Sequence, residues 1–181
     1  GFVDATNLVI ENSPFNYGVR MFGDLNLSDS TINNIGIGIY TESGSPSNIN
    51  LTNVSIVNSR FDAIIVGYNS VVNLDQVVVD GNPSVHTQRV SVFDVAAFNV
   101  KDSIFKNSKN VCFYFRNSNI TFQNVLLDSC RTYGIIDDGG NTVSFEDTQI
   151  SGNKYGIVLD LCDYCNPTPT DSVYSFLHTS I

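Results

Sequence analysis

Apolar residues recur along the chain in short alternating runs that return every 22 to 26 residues. One apolar residue of each run serves as the anchor of its repeat, and the anchors are Ile10, Ile32, Ile56, Val79, Phe105, Leu127 and Ile150. Apolar residues also stand seven and five positions before each anchor, as Ile120 and Phe122 do before Leu127, with mostly polar residues between them. Alternation with a period of two is typical of a β-strand with one buried face.

Asn, Asp and Gly interrupt the apolar pattern at two fixed places in most repeats. Three residues before the anchor stand Asn7, Asp29, Asn53, Gln76, Asp102, Asn124 and Asp147. Two residues after it stand Asn12, Asn34, Asn58, Gly81, Asn107, Ser129 and Gly152. These residue types tolerate a left-handed backbone and form turns, so both columns predict corners. A third apolar run follows, such as "GIGI" or "GIVL". Each repeat therefore predicts three short strands and three bends, without a helix.

Repeats of this length bury their apolar faces only by stacking. The predicted fold is all-β, a right-handed single-stranded parallel β-helix of about seven coils with three short strands per coil. Residues 1–161 are expected to form the β-helix. Residues 162–181 are expected to form a linker and a strand-like tail, which either folds back as a cap or pairs with another subunit.

The repeat resembles the right-handed parallel β-helix superfamily, also called pectate-lyase-like. This superfamily includes pectate lyases, polygalacturonases, phage tailspikes and repetitive cell-surface proteins, and the last group is the closest in style. The resemblance implies an asparagine ladder at one corner of the helix. The residues that match such a ladder here are Asn12, Asn34, Asn58 and Asn107.

Charge and composition exclude several functions. The net charge is −9 and the pI is near 4.3. Because phosphate binding needs clustered Lys and Arg, nucleic acid is not an expected partner. No apolar run approaches the roughly 18 residues needed to cross a bilayer, so no membrane span is expected. The chain shows neither a signal peptide nor an initiator Met, which indicates a mature or excised piece. No cofactor is expected.

The four cysteines favour an oxidising, extracellular environment. Cys112 and Cys130 fall on adjacent predicted coils, and Cys162 and Cys165 are close in sequence. We therefore expect disulfides between Cys112 and Cys130 and between Cys162 and Cys165. Free thiols in the core are the alternative. A zinc half-site in "CDYC" is less suitable, because zinc normally takes four ligands and no second pair of suitable spacing exists.

Four glycosylation sequons also favour an extracellular location. They begin at Asn26, Asn50, Asn53 and Asn119, and such sequons are acceptors in the surface segments of secreted proteins. Asn26 and Asn50 share an outward column of the predicted strands, and Asn119 lies in an exposed bend. Asn53 belongs to the corner column that leans inward, which makes it the poorest acceptor of the four.

The superfamily includes enzymes that act on acidic polysaccharides, and glycoside hydrolysis needs a paired acid and base. Asp137 and Asp138 in "DDGG" resemble such a pair. Asp137 also occupies an inward column that holds Met21, Ile39, Val66, Val92, Phe115 and Leu159 in the other coils. However, neither histidine is followed by Gly, and "DDGGN" is a strong turn sequence. An early bend of this coil is the favoured interpretation.

A lyase-like site would instead need calcium between carboxylates, together with an arginine base. Arg116, Asp138 and Asp160 fall in one outward column with about 4.8 Å between coils, so the two aspartates are candidate metal ligands. An exposed ion pair between Arg116 and Asp138 is the simpler interpretation. In an enzyme, or an inactive relative of one, Asp137, Asp138, Asp160, Arg116 and Arg131 would form the site.

Four of the nine basic residues stand four positions after an anchor. They are Arg60, Lys109, Arg131 and Lys154. Such a stripe can bind an acidic glycan. Alternatively, it balances the carboxylates of Glu11, Asp80 and Asp128, which lie in the same corners.

These patterns favour a structural role over catalysis. Third-strand positions that face outward are unusually apolar, namely Ile65, Tyr114, Ile136 and Val158, and such a patch can bury against a partner. The predicted function is a secreted structural or adhesive glycoprotein that carries covalent N-glycans and self-assembles head to tail into an extracellular fibre or matrix. The alternatives are a carbohydrate-active enzyme, an inactive relative of one, or a glycan-binding module, each acting on an acidic polysaccharide.

Overall fold

The fold is a parallel β-solenoid of about six turns, as seen in a computed structural model that describes residues 1–41, 46–81, 89–159 and 172–181. The described residues form strands and turns, without a helix. Accordingly, these ranges include no helix that is long and apolar enough to span a membrane. The predicted all-β parallel solenoid is confirmed, and its length is close to the predicted seven coils.

Each turn contributes a segment to each of three parallel sheets. The first sheet contains β1 (Phe2–Thr6), the starts of β3 (Asp24–Thr41) and β4 (Asn48–Val57), β6 (Val71–Asp75), β9 (Ala97–Lys101), β12 (Asn119–Gln123), β15 (Thr142–Glu146) and β18 (Val173–Leu177). The second contains the start of β2 (Val9–Met21), the middle of β3, the end of β4, β7 (Val78–Asp80), β10 (Ile104–Lys106), β13 (Leu126–Asp128) and β16 (Gln149–Ser151). The third contains the ends of β2 and β3, β5 (Asp62–Gly67), β8 (Arg89–Phe93), β11 (Val111–Arg116), β14 (Tyr133–Asp137) and β17 (Tyr155–Leu159).

The core is built from the apolar columns, which stack in register. In the first sheet, Phe98 pairs with Ile120 and Ile120 with Val143. Further along the same strands the Phe122 and Phe145 rings stack with their centroids 5.1 Å apart. Because each coil buries its apolar side chains against the coils above and below, stability comes mainly from contacts between neighbours.

The two predicted corner columns are confirmed by the backbone. The residues before the anchor have positive φ, from 48° to 57°, at Asn7, Asp29, Asn53, Gln76, Asp102, Asn124 and Asp147. The residues after it have φ from 54° to 66° at six of the seven predicted positions, namely Asn12, Asn34, Asn58, Asn107, Ser129 and Gly152, and Gly81 is the seventh. Asn and Asp are the non-glycine residues most tolerant of this region, which explains why the columns repeat these types.

The asparagine ladder lies elsewhere than the sequence predicts. Asn34 does donate to Asn12 at 3.1 Å, but Asn58 donates to Asn33, and Asn107 donates to Asp80. The continuous ladder runs along the outer face of the first sheet through Asn26, Asn50, Asn73 and Asn99, with amide hydrogen bonds of 2.8 to 2.9 Å. It forms there because these side chains leave extended strands in parallel, one coil apart.

The last described segment re-enters the solenoid. Strand β18 pairs in parallel with β15, and this places Tyr174 on Val143 and Phe176 on Phe145. Ser180 forms a bridge to Gln149 of the second sheet. The tail strand thus pairs within its own chain. Residues 160–171 lie outside the described residues, so the domain boundary between 161 and 162 stays a prediction.

Candidate functional site

A polar cluster lies on the outer face of the third sheet. Asp62 accepts hydrogen bonds from Arg89 Nε at 2.6 Å and from Ser91 Oγ at 2.8 Å. The Arg89 guanidinium also lies over the Tyr114 ring, 5.6 Å from its centroid. Strands β5, β8 and β11 stack in register and bring these residues together from separate coils. Sequence reasoning missed this cluster, because Asp62 precedes a register shift between β5 and β8.

Tyr114 connects the cluster to the following coil. Its hydroxyl donates to Asp138 Oδ2 at 2.6 Å. Burial of the phenol, followed by this hydrogen bond and the charge of Asp138, raises the pKa of Tyr114 to about 12. The hydroxyl is therefore a stable donor over the physiological pH range.

The ion pair predicted between Arg116 and Asp138 is wrong. Within the described part of the chain, Arg116 has no carboxylate within 4.0 Å; its guanidinium lies 5.6 Å from the centroid of the Phe93 ring. Asp138 is buried rather than exposed, because its N–H donates to the carbonyl of Phe115 at 2.9 Å and its carboxylate turns towards Tyr114.

Asp137 is a buried carboxylate in an inward column that is mostly apolar. It is 1% exposed and pairs with Phe115 on one side and Leu159 on the other. The predicted membership of this column is corrected at one position: Ile39 pairs with Ile64, so the register places Thr41 rather than Ile39 beside Val66. The predicted bend is confirmed, because β14 ends at Asp137 and the next two glycines have φ of 83° and 72°.

Four donors surround the Asp137 carboxylate. The N–H of Gly139 donates at 2.7 Å and Ser172 Oγ at 3.0 Å, and the Asn141 amide and the Tyr174 hydroxyl donate as well. Burial, followed by the hydrogen bond to Asp137, raises the pKa of Tyr174 far above its ordinary value. Since these donors come from the chain itself and little of the carboxylate is exposed, Asp137 has no open face for a sugar.

The predicted metal ligands are not brought together in the described residues. No group of three or more His, Cys, Asp or Glu is placed to hold a metal ion in these ranges. Asp138 is bound by Tyr114, and Asp160 lies outside the described residues. Among the described members of the predicted catalytic set, Arg131 stands apart, at the corner between the second and third sheets.

The four residues of the predicted basic stripe lie at that corner and are all exposed. Arg60, Lys109, Arg131 and Lys154 form what we call the basic corner. No carboxylate oxygen of the described residues lies within 4.0 Å of their nitrogens. Asp80, which the sequence offered as a balancing charge, instead contacts Lys106 at 3.2 Å. The basic corner therefore keeps its cationic groups open to solvent.

Exposed aromatic rings accompany these cations. The Arg60 guanidinium lies 4.4 Å from the centroid of the Phe15 ring and 5.6 Å from that of Phe61. Lys154 lies 5.1 Å from the centroid of Tyr155, which stacks on Tyr133. Phe15 is 74% exposed and Tyr155 is 46% exposed. The combination of cations and ring faces suits anionic sugars, which carry both charge and apolar C–H faces.

One of the two predicted disulfides is present. Cys112 and Cys130 are bonded, with 5.5 Å between their Cα atoms, and both residues are buried. This bond joins β11 to the corner that follows β13 in the next coil. Cys162 and Cys165 lie outside the described residues, so their pairing stays a prediction.

The sequon asparagines lie on the outer surface. Asn119 is exposed, and Asn26 and Asn50 are half-buried within the amide ladder. The expectation that Asn53 leans inward is wrong, because its left-handed backbone turns the side chain outward, where it is exposed and donates to Asp29 at 2.7 Å. All four sequons thus stand on strands or corners of the outer surface, and their occupancy stays a prediction.

Comparison of the chain with protein-family models, with curated protein sequences and with solved structures found no match. The structure shows a parallel β-solenoid, and membership of the pectate-lyase-like superfamily stays a prediction. Any function must be argued from the surfaces described above.

Proposed function

We propose that the protein is a secreted structural or adhesive glycoprotein, the subunit of an extracellular fibre or matrix that assembles head to tail. The observation that carries this proposal is the continuous parallel stacking of the coils in three sheets, with the outer face of the first sheet lined by an amide ladder. A stack of this kind is a stiff rod, since every coil is fixed by backbone hydrogen bonds to its neighbours.

Two lateral features support the adhesive part of the proposal. The sequons lie on outward-facing strands and corners, where covalent glycans would be accommodated without entering the core. The outward column of the third sheet contains the half-buried side chains of Ile65, Ile136 and Val158. Ser91 and Tyr114 of the polar cluster stand between Ile65 and Ile136, so the adjacent pair Ile136 and Val158 is the apolar part of this column that can bury against a second rod.

Electron microscopy of the secreted protein tests assembly. The expected result is filaments with an axial repeat of a few nanometres, since coils stacked about 4.8 Å apart give a subunit of that length. Mass spectrometry of glycopeptides then tests whether Asn26, Asn50, Asn53 or Asn119 carries a glycan. Monodisperse single rods at all concentrations in sedimentation experiments would contradict the assembly, and unmodified sequons would contradict the glycoprotein.

A second candidate function is binding of an acidic polysaccharide at the basic corner. The observation that favours it is that Lys109, Arg131 and Lys154 stand on successive coils without a carboxylate partner in the described residues. Their backbones are about 4.8 Å apart from one coil to the next, so the three side chains form a row parallel to the rod axis. The chain has a net charge of −9, but this array is locally positive and therefore suits a linear polyanion.

Affinity electrophoresis with a polyuronate in the gel tests this binding. The double variant Arg131→Glu, Lys154→Glu is expected to lose the retardation shown by the wild type. The matched control is Lys101→Glu, Lys106→Glu, which changes the net charge equally at two lysines that already lie near Asp102 and Asp80. Equal loss of retardation in both double variants would indicate a general charge effect and would contradict a binding site at the basic corner.

A further inference from the structure

Strand β18 is held on the solenoid by a buried polar contact. Ser172 Oγ donates to Asp137 Oδ1 at 3.0 Å and accepts the N–H of Asn141 at 3.1 Å. The Tyr174 hydroxyl donates to Asp137 Oδ2. The N–H of Val173 donates to the carbonyl of Asn141 at 2.8 Å. Both oxygens of one buried carboxylate are thus bound by the segment that re-enters the solenoid.

The geometry of this contact follows from the register. Tyr174 pairs with Val143 and faces the core from the first sheet, whereas Asp137 faces the core from the third sheet beside Phe115. The phenol therefore spans the interior to reach the carboxylate. Stacking of Phe176 on Phe145, with centroids 5.1 Å apart, would attach an apolar strand without any carboxylate.

The carboxylate makes attachment of β18 selective. A buried charge is costly unless hydrogen bonds satisfy it. Gly139 and Asn141 supply two donors from the turn itself, and the other two come from Ser172 and Tyr174. Departure of β18 removes two charge-assisted hydrogen bonds together, which makes docking of the strand cooperative with satisfaction of Asp137.

We propose that Asp137, Ser172 and Tyr174 form a latch that controls exchange of β18 between two copies of this chain. With the latch closed, β18 covers the edge of β15 and buries Val143. With the latch open, that edge presents unpaired N–H and C=O groups, which template pairing with another strand. The occupant with every complementary group is β18 of a second copy, since an exchanged strand restores each contact of the latch.

This inference rests on the self-assembly in the proposed function, and it identifies one route by which copies become joined. Because an exchanged pair contains the same latch as a single copy, weakening the latch is expected to change the rate of exchange rather than the final ratio of single to joined copies. The rate is therefore the quantity to measure.

The experiment uses the whole chain and two readouts. Hydrogen–deuterium exchange of the amides of Val173–Leu177 reports opening of the latch, and energy transfer between pools labelled with donor or acceptor dyes reports mixing of copies. Tyr174→Phe removes the hydroxyl and keeps the ring near Phe145. Loss of one hydrogen bond to a charged acceptor shifts an opening equilibrium on the order of 10- to 100-fold, and both rates are expected to rise by that factor.

Two further variants separate the latch from a general loss of folding. Ser172→Ala removes the other donor of the latch without changing the aromatic stack. It is also expected to increase the rates of amide exchange and of mixing of the labelled copies. The control, Tyr155→Phe, changes a tyrosine that is 46% exposed on the outer surface and is expected to leave both readouts unchanged. Circular dichroism confirms that each variant retains its strands.

The possible outcomes test the latch, the exchange of β18 between copies and the head-to-tail assembly separately. Amide exchange in Tyr174→Phe equal to that of the wild type would overturn the latch. Faster amide exchange without mixing of the labelled pools would refute strand exchange between copies. Mixing at the expected rates in a protein that forms no filaments would support the latch and contradict head-to-tail assembly, so the two proposals fail independently.

Discussion

The aromatic stack of the first sheet offers a direct test of how stability is distributed along the rod. Phe122 is fully buried; its ring stacks on Phe145 and meets Phe113 edge to face, each pair with centroids 5.1 Å apart. Phe176 stacks on the other side of Phe145 at the same centroid distance but is 50% exposed. Replacement of each by Ala removes the same atoms from two different environments.

The expected costs follow from burial. Truncation of a fully buried Phe lowers the free energy of unfolding by about 3–5 kcal/mol, because the transfer free energy is lost and a cavity remains. Full burial of such a ring is worth about 1.5–3 kcal/mol, so half of this, about 1 kcal/mol, is the transfer contribution at Phe176. Phe122→Ala is therefore expected to be at least about 2 kcal/mol more destabilising than Phe176→Ala.

Urea unfolding at 25 °C, followed by far-ultraviolet circular dichroism and by tyrosine fluorescence, measures the difference. Coincident transitions and unchanged m-values are needed to convert midpoints into free energies. Equal destabilisation by the two substitutions would refute the reasoning, since it would mean that burial by adjacent coils does not set the contribution of each ring.

Three other predictions follow from individual contacts. In spectrophotometric titration, Tyr114 should ionise near pH 12, at a higher pH than an ordinary tyrosine. Because the pKa is raised in the folded state, the stabilisation by Tyr114 is complete below pH 10 and decreases between pH 10 and 12. Tyr114→Phe should abolish this part of the decrease in stability. Removing the Cys112–Cys130 disulfide by a double Cys→Ser substitution should lower the free energy of unfolding in urea by about 3 kcal/mol, given a sequence separation of 18 residues. An unchanged free energy of unfolding would show that the disulfide hardly constrains the unfolded chain. Asn73→Asp should be less stable than Asn73→Ser at pH 7, because a carboxylate cannot donate to the next amide of the ladder, and the gap should narrow in acid as the protonated carboxyl regains a donor.

The fold could be predicted from the sequence because one short rule is applied repeatedly. Strand positions seven and five before each anchor face inward, and positive φ occurs three before and two after it, as the Asn and Asp columns indicate. The last coil escaped detection because its anchor position is Ile181, 31 residues after Ile150. A search that allowed an insertion would have found it, since Tyr174, Phe176 and the positive-φ residue His178 stand at the expected distances before Ile181.

The candidate sites were less predictable, because they depend on the directions of side chains. The basic corner was visible as a column, but its lack of carboxylate partners in the described residues was not. Arg116 and Asp138 are in register, yet they form no ion pair. The Tyr114 hydroxyl donates to the Asp138 carboxylate, and the Arg116 guanidinium lies over the Phe93 ring. Register fixes which residues are neighbours, and competition among several neighbours decides which of them interact.

Two of the buried carboxylates in this rod, Asp62 and Asp137, occur where the repeat is broken. Asp62 stands beside a shift of register, and Asp137 replaces an apolar residue in an inward column. A repeat that is consistent at every level needs neither feature for folding, since an apolar residue at the position of Asp137 would continue the core as Phe115 does. Asp137 accepts hydrogen bonds from Gly139 and Asn141 of its own turn as well as from Ser172 and Tyr174. The carboxylate thus joins the turn of its own coil to β18, and we expect the attachment of β18 to depend on it for this reason.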